Sequence, residues 1–234
     1  MTRPGLALIH SPLVGPMTWR AVAGKLAATR DARVEAPSAS AWQVAPLYYP
    51  SVAARIAAQL PASVETWVLV GHSAAGGLLP SVAAALSDKA GVAVFVDAIL
   101  PHPGRSWLDT APPDLRAFLA DAVRDDRAPP WHAWLPSGAL ERLLPDERQR
   151  RAFTGDIELM PVGYLTEAAP QQTPNWPPGP CAYLQLSGAY ADEAAEATAR
   201  GWPIERLALN HLAMLSEPDK VAAAIQRLVA RIEA

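Results

Sequence analysis

Short apolar stretches alternate with longer segments of helical period along most of the chain. Residues 67–70 and 92–96 are apolar throughout and rich in valine, which is typical of strands whose two faces are both covered. Between such strands, apolar residues recur every three or four positions, as in amphipathic helices. This alternation predicts βαβ units around a parallel sheet. The predicted strands are residues 6–9, 33–36, 67–70, 92–96, 181–186 and 203–209.

Helical segments follow these strands in the order that a βαβ fold requires. One helix is predicted to begin near Thr18, and others to span residues 50–60 and 74–89. The last helix is predicted to begin near residue 216, with Val221, Ile225, Leu228 and Ile232 on its apolar face. We therefore expect an α/β fold, with a mostly parallel sheet of about six strands flanked by helices.

The strand pattern is interrupted between residues 101 and 180. This segment holds 14 of the 24 prolines and 4 of the 8 tryptophans, and its helical pieces are short, at 113–122 and 138–144. We predict that residues 101–180 form a helical cap, which we call the insertion. The core would then consist of residues 1–100 and 181–234.

Composition and charge exclude several classes of protein. Half of the 234 residues are hydrophobic and 18% are charged, enough apolar material for one buried core. The net charge of −3 and the absence of a basic run argue against a nucleic-acid partner. Cys181 is the only cysteine, which excludes an intramolecular disulfide and a metal site built on several thiolates. We find neither a signal peptide nor an apolar run of about 18 residues.

These observations set the expectations for cofactors, partners and location. We expect a cytoplasmic monomer or homodimer that acts on a small-molecule substrate. We expect no metal or other cofactor, no nucleic-acid partner and no association with a membrane.

A serine lies at the junction of a buried strand and a helix. Residues 71–76 read GHSAAG and follow directly after the strand at 67–70. Small residues on either side of Ser73 suit a sharp strand-to-helix turn that exposes a nucleophile, and the N–H of Ala74 at the helix N-terminus would face an oxyanion. The pattern matches G-x-S-x-G except that Ala75 replaces the last glycine. Taken alone, it is also compatible with a serine-capped turn that has no chemical role.

His211 follows the last predicted strand and precedes the last helix. A histidine in a loop at the carboxyl end of a strand reaches side chains at the end of neighbouring strands, as a general base for Ser73 would have to do. The alternative is a histidine of a surface loop without a catalytic role.

The chain resembles the α/β-hydrolase superfamily from Leu6 to its end. The resemblance rests on His10 after the first strand, Trp19 in the first helix, residues 71–73, and residues 211–215 with Pro218 and Val221 downstream. It implies a Ser-His-acid triad that hydrolyses an ester, thioester or lactone through an acyl-enzyme. It also implies that the first two strands of the full fold are missing here and that the insertion is the cap.

Two aspartates are candidates for the acid of the triad. In most of the superfamily the acid follows the penultimate strand, where Asp192 lies one residue later than usual and is also explained as an N-terminal helix residue. Asp97 lies at the end of the strand that follows Ser73, where its carboxylate would point towards the shared crevice. A subgroup of haloalkane dehalogenases is similar here and carries its acid at this position. We favour Asp97, although a structural aspartate at the start of the cap is the alternative.

The loop after the first strand departs from the family pattern. The second oxyanion donor is normally the N–H two residues after the histidine, and that residue is Pro12, which has no N–H. Either Leu13 donates from a shifted loop, or the Ser11 hydroxyl replaces the missing donor, or the hole is incomplete. We predict Ala74 and Leu13 as the oxyanion hole.

A nucleophilic serine excludes the aspartate-nucleophile chemistry of dehalogenases and epoxide hydrolases. We therefore expect an esterase-like hydrolase of a largely apolar small molecule, with Trp107, Trp131 and Trp134 of the insertion lining the substrate pocket. Two alternatives stay open. One is a cofactor-free lyase with His211 as acid and base, and the other is a small-molecule binding protein without turnover.

Overall fold

The computed structural model describes residues 3–40, 47–171, 176–177 and 179–233. Its centre is a six-stranded sheet in the order β2-β1-β3-β4-β5-β6, in which every pair of neighbours is parallel. The strands are β1 Gly5–Ile9, β2 Val34–Glu35, β3 Trp67–His72, β4 Ala90–Val96, β5 Cys181–Gln185 and β6 Ile204–Arg206. Because all six run in one direction, their carboxyl ends meet at one edge of the sheet.

The most apolar strands lie in the middle of the sheet. All six residues of β3 are buried, and β3 pairs with β1 on one side and β4 on the other. β2 and β6, at the two edges, are short and only partly buried. The fully apolar pattern of residues 67–70 therefore corresponds to a strand with helices on both faces.

Helices cover both faces of this sheet. The helices are α1 Met17–Thr29, α2 Tyr48–Ala58, α3 Ala75–Leu86, α4 Trp107–Thr110, α5 Pro113–Ala122, α6 Ala139–Leu143, α7 Glu147–Gly155, α8 Val162–Thr166, α9 Ala191–Ala199, α10 Ala213–Ser216 and α11 Pro218–Glu233. α1, α10 and α11 pack on one face, where Trp19, Leu26, Val221 and Leu228 are fully buried. α2, α3 and α9 cover the opposite face.

Residues 101–180 contribute the short helices α4 to α8, and two of their carboxylates bind N–H groups at the starts of α1 and α2. Asp156 accepts a hydrogen bond from the Met17 N–H at the start of α1, at 2.7 Å. Glu167 accepts hydrogen bonds from three successive N–H groups at the start of α2, those of residues 47–49, at 2.8–3.1 Å. Carboxylates at helix N-termini satisfy N–H groups that have no partner inside the helix and complement the helix dipole. The insertion therefore completes the ends of two core helices.

The predicted fold class is confirmed, with differences at the ends of elements. The strand predicted at 203–209 is limited to Ile204–Arg206, and α3 ends at Leu86 because residues 87–89 form a 3₁₀ turn. The last helix begins at Pro218, since Ser216 is the last residue of α10. Part of the predicted return from the insertion, residues 172–175 and 178, lies outside the described residues. The division into core and cap stays a prediction. Over the ranges described, no helix is both long and apolar enough to cross a bilayer.

Candidate active site

Ser73 occupies a strained turn between β3 and α3. Its φ angle is 57°, in the left-handed region that non-glycine residues rarely adopt and that costs about 1–3 kcal/mol. Its N–H donates to the Val96 carbonyl at 3.3 Å, and its carbonyl accepts from the Ile99 N–H at 3.2 Å. The backbone around the end of β4 therefore holds this turn on both sides.

A glycine allows α3 to approach that same backbone. A Cβ atom at Gly76 would lie 1.9 Å from the Ile99 carbonyl oxygen, a distance that no side chain tolerates. Gly71 lies in β3, and a Cβ there would lie 3.0 Å from the Leu79 side chain. The close approach is therefore at Gly76, which explains why Ala75 is accommodated where the family pattern has its last glycine.

The His211 ring bonds to the Asp97 carboxylate. His211 Nδ1 lies 2.8 Å from Asp97 Oδ2, and Asp97 is fully buried at the end of β4 with a φ angle of 43°. Because a carboxylate only accepts, Nδ1 carries the proton and Nε2 is left as the basic nitrogen.

Further donors from the end of β5 hold the same carboxylate. Asp97 Oδ1 accepts from the N–H groups of Leu186 and Ser187 at 2.8 and 3.0 Å. Asp97 Oδ2 also accepts from the Ser187 hydroxyl at 2.6 Å. With His211, four donors satisfy this buried carboxylate, which compensates for the cost of its burial.

Asp192 lies elsewhere. It is exposed in the first turn of α9, where an acidic side chain favours the helix dipole. The structure thus brings Asp97 to His211, and Asp192 has the helix-terminal position that the sequence also allowed for it. Which of the two serves as the acid in a reaction stays a prediction.

Tyr190 is a neighbour that the sequence reasoning missed. Within the described part of the chain, Ser73 Oγ bonds to the Tyr190 hydroxyl at 3.1 Å, and it makes no direct bond to the His211 ring. The Tyr190 ring stacks on the His211 ring, with centroids 5.0 Å apart and an angle of 14°. Tyr190 ends a 3₁₀ turn after β5. In the sequence, the one indication of its role is that Tyr190 follows a predicted strand and so lies at the carboxyl edge of the sheet.

His72 contacts His211 through a hydrogen bond and through its ring. Its Nε2 lies 3.1 Å from the His211 carbonyl oxygen, to which it donates, and the two ring centroids are 4.5 Å apart. Burial lowers the pKa of His72 well below its usual range, which keeps the ring neutral.

His10 fixes the loop after β1. Its Nε2 accepts a hydrogen bond from the Ala39 N–H at 2.9 Å, and its Nδ1 donates to the Ser11 carbonyl at 2.8 Å. Burial lowers the pKa of His10 to about 4. The ring is therefore neutral at physiological pH, with its proton on Nδ1.

The two predicted oxyanion donors differ in their surroundings. Ala74 is the N-cap residue of α3, where N–H groups have no partner within the helix. The Leu13 N–H donates to Ser11 Oγ at 3.2 Å, and the Val14 N–H donates to the Ser11 carbonyl at 3.0 Å. Leu13 would therefore have to give up or share its present bond to hold an oxyanion, and its role stays a prediction.

The three tryptophans predicted to line a pocket divide into two groups. Trp131 lies beside His211, with ring centroids 5.9 Å apart, and also contacts Phe153. Trp107 and Trp134 pack on each other at 5.7 Å, and Trp134 Nε1 donates to the Pro129 carbonyl. Trp131 is the one of the three whose ring meets that of His211.

A family model described as the alpha/beta hydrolase family matches residues 6–224. Among solved structures, the chain is similar to an extracellular alpha/beta-hydrolase from a Paenibacillus species, with 20% identity over 97% of this chain and 99% of that one and a TM-score of 0.76.

Two further structures have similar coverage. Polyneuridine aldehyde esterase is 17% identical over 97% of this chain and 99% of its own, with a TM-score of 0.73. A pyrethroid hydrolase from Sphingobium faniae is 22% identical over 99% of both chains, with a TM-score of 0.65. No curated protein matches the sequence. The match of the family model over nearly the whole chain shows that this protein belongs to the α/β-hydrolase family.

Proposed function

We propose that the protein is a serine hydrolase that cleaves an ester, thioester or lactone of a largely apolar small molecule through an acyl-enzyme. Ser73 is the nucleophile, His211 the general base and Asp97 the acid that orients it. The observation that carries the proposal is the bond of 2.8 Å between His211 Nδ1 and the buried Asp97 carboxylate, next to a serine held at a φ angle of 57°.

The protonation state of His211 gives the order of the steps. With its proton on Nδ1, Nε2 accepts the Ser73 proton as Oγ attacks the carbonyl carbon of the substrate. The resulting imidazolium is stabilised by Asp97 and returns the proton to the leaving group when the intermediate collapses. Water then attacks the acyl-enzyme by the same route in reverse, and Ser73 is regenerated. The N–H of Ala74 would stabilise the oxyanion in both halves of the reaction.

In the present arrangement Ser73 Oγ bonds to Tyr190, not to His211. Catalytic hydrogen bonds are often long in a free enzyme and tighten when substrate binds. The mechanism therefore requires the Ser73 side chain to rotate so that its hydroxyl bonds to His211 Nε2.

The insertion supports an apolar substrate. We assign residues 101–180 as a cap over the core formed by 1–100 and 181–234. Trp131 reaches the His211 ring from this cap, and its indole offers an apolar wall for an acyl or alcohol group. Two structural neighbours are named as an esterase and a pyrethroid hydrolase, in agreement with hydrolytic chemistry on this fold.

Covalent labelling tests the nucleophile. A fluorophosphonate probe should label the native protein and the variant Ser137→Ala, which removes an exposed serine of the insertion, but not Ser73→Ala. A screen of aryl esters, acyl thioesters and lactones should then find a class that the native protein hydrolyses and Ser73→Ala does not. Folded protein that shows neither labelling nor turnover would contradict the proposal. It would favour a lyase or a small-molecule binding protein.

A further inference from the structure

The Tyr190 hydroxyl lies at the reacting oxygen of the proposed nucleophile, yet the Ser-His-Asp mechanism does not use it. It is 3.1 Å from Ser73 Oγ, within hydrogen-bond distance. The stacking of its ring on His211, at 5.0 Å, holds the hydroxyl in this place. Because Tyr190 contacts both Ser73 and His211, its hydroxyl has a defined position beside the oxygen that would attack the substrate.

The reaction requires Tyr190 to be the donor of this hydrogen bond. During attack, the Ser73 proton passes to His211, and the serine oxygen is then an acceptor only. Tyr190 must therefore donate. Burial raises the pKa of the Tyr190 hydroxyl above its usual range, and the nearby charge of Asp97 adds to the effect. The phenol consequently keeps its proton at neutral pH.

In the loop after β1, neither Pro12 nor Leu13 offers a free backbone N–H as the second oxyanion donor. Pro12 has no N–H, and the Leu13 N–H is bonded to Ser11 Oγ. The backbone thus offers the Ala74 N–H at the start of α3, while a serine hydrolase that loses one of two donors is slowed roughly 10²- to 10³-fold.

We propose that the Tyr190 hydroxyl is the second oxyanion donor. In the tetrahedral intermediate, the oxyanion and Ser73 Oγ are bonded to the same carbon, so a donor within reach of one oxygen requires only a small movement to reach the other. The hydroxyl is hydrogen-bonded to Ser73 Oγ in the free enzyme, and it donates to the oxyanion once the carbon–oxygen bond has formed. Tyr190 keeps its proton throughout, and the proton released by Ser73 passes to His211 as before.

This inference rests on the proposed function, because it needs Ser73 to be the nucleophile. Tyr190→Phe tests it, since phenylalanine retains the ring that stacks on His211 and removes only the donor. We expect kcat for an ester substrate to fall roughly 10²- to 10³-fold with KM nearly unchanged, because the bond strengthens in the transition state. Affinity for a trifluoromethyl ketone, which forms an oxyanion adduct with Ser73, should fall by a similar factor.

Tyr49→Phe is the matched control. Tyr49 is a buried tyrosine whose hydroxyl bonds to Tyr164 of the insertion. Its loss should leave kcat and ketone affinity close to the native values. If Tyr190 only supported the fold, Tyr190→Phe would change neither, whereas Tyr190→Ala would reduce the unfolding temperature. An unchanged or increased kcat in Tyr190→Phe would overturn the inference, and an increase would mean that the phenol blocks Ser73.

The two proposals fail in different ways. If native protein hydrolyses no ester and is not labelled at Ser73, the proposed function fails. If native protein is labelled and turns over, and Tyr190→Phe matches it in kcat and ketone affinity, only the role of Tyr190 fails.

Discussion

Asp97 Oδ2 accepts a hydrogen bond from His211 Nδ1 at 2.8 Å, across 114 positions of sequence. The two residues come from the ends of β4 and β6, on either side of β5 in the sheet. Leu186 and Ser187, directly after β5, donate the other hydrogen bonds to this carboxylate. Asp97, the proposed acid, is therefore held by residues that follow β5, the strand after which most of the superfamily carries its acid.

Asp97→Asn should abolish most activity. The amide removes the charge that stabilises the imidazolium and permits the wrong tautomer of His211, which lowers kcat about 10⁴-fold in a comparable triad. Steady-state kinetics on the ester found by screening would measure the loss. Asp192→Asn is the matched control, because Asp192 is exposed on α9, and its kcat should stay close to native. The reverse pattern would move the acid to Asp192.

Gly76→Ala should destabilise the fold. The new methyl group would meet the Ile99 carbonyl, a backbone atom that no rotamer change moves away. We expect the free energy of unfolding to fall by about 3 kcal/mol, at the upper end of the range for overpacking. Activity should fall too, since the Ile99 N–H bonds to the Ser73 carbonyl. Urea denaturation and ester turnover would measure the two effects.

The same substitution at Gly24 gives the control. Gly24 is exposed in α1, and a Cβ there has no neighbour within 4 Å. Gly24→Ala should therefore raise the free energy of unfolding by up to about 1 kcal/mol, through the better helix propensity of alanine. Equal stability changes in the two variants would contradict the argument from the close approach at Gly76.

Glu167→Gln should weaken the attachment of the insertion to α2. The neutral amide keeps one acceptor oxygen for the three N–H groups that the carboxylate binds now. Loss of a helix cap costs roughly 0.5–2 kcal/mol, and we expect the upper part of that range in urea denaturation. Glu141→Gln, at an exposed position of α6, should change stability much less. Limited proteolysis of the insertion should be faster in Glu167→Gln than in native protein.

Stability should fall as the pH is lowered from about 6.5 to about 4. The pKa of His10 is lowered to about 4 in the folded protein, against about 6.5 in an unfolded chain. Between these values the unfolded chain binds a proton that the folded state does not, which favours unfolding. The full difference corresponds to about 3 kcal/mol for His10. His72 has a lowered pKa as well and should add to the effect.

Comparison with His10→Gln isolates this contribution from those of the carboxylates. The free energy of unfolding, measured in urea at several pH values, should depend less steeply on pH in the variant. Identical slopes in the two proteins would show that His10 does not titrate as its burial requires.

Much of the fold could be predicted from the sequence because the spacing of apolar residues reflects which faces of a strand or helix are buried. Residues 67–70 are apolar at every position and form the buried centre of the sheet in β3. The ends of elements were harder to predict, since they depend on bonds between distant residues. Leu47 has no signal for a helix start, yet α2 begins after it because Glu167 of the insertion binds the N–H groups there.

In the candidate site, too, some residues could be predicted from the sequence and others could not. Ser73, His211 and Asp97 were predicted because each follows a strand, and the carboxyl ends of parallel strands converge. Tyr190 was not predicted. Its hydroxyl reaches Ser73 because of the 3₁₀ turn at Gly188–Tyr190, and a turn of three residues has no repeating pattern of apolar residues that would reveal it. The bond that occupies the Leu13 N–H was equally hidden, since it depends on the rotamer of Ser11.

The insertion begins after Asp97 and ends before His211. Ser73 is bonded through its own backbone to Val96 and Ile99, on either side of Asp97, and all of these residues precede position 101. An exchange of residues 101–180 would therefore leave the stretch of chain from Ser73 to Asp97 unchanged. After such an exchange, Ser73 and Asp97, the proposed nucleophile and acid, would keep their present positions, provided that the new segment supplies carboxylates for the starts of α1 and α2. In relatives whose acid follows the penultimate strand, the same exchange would alter the stretch of chain between nucleophile and acid.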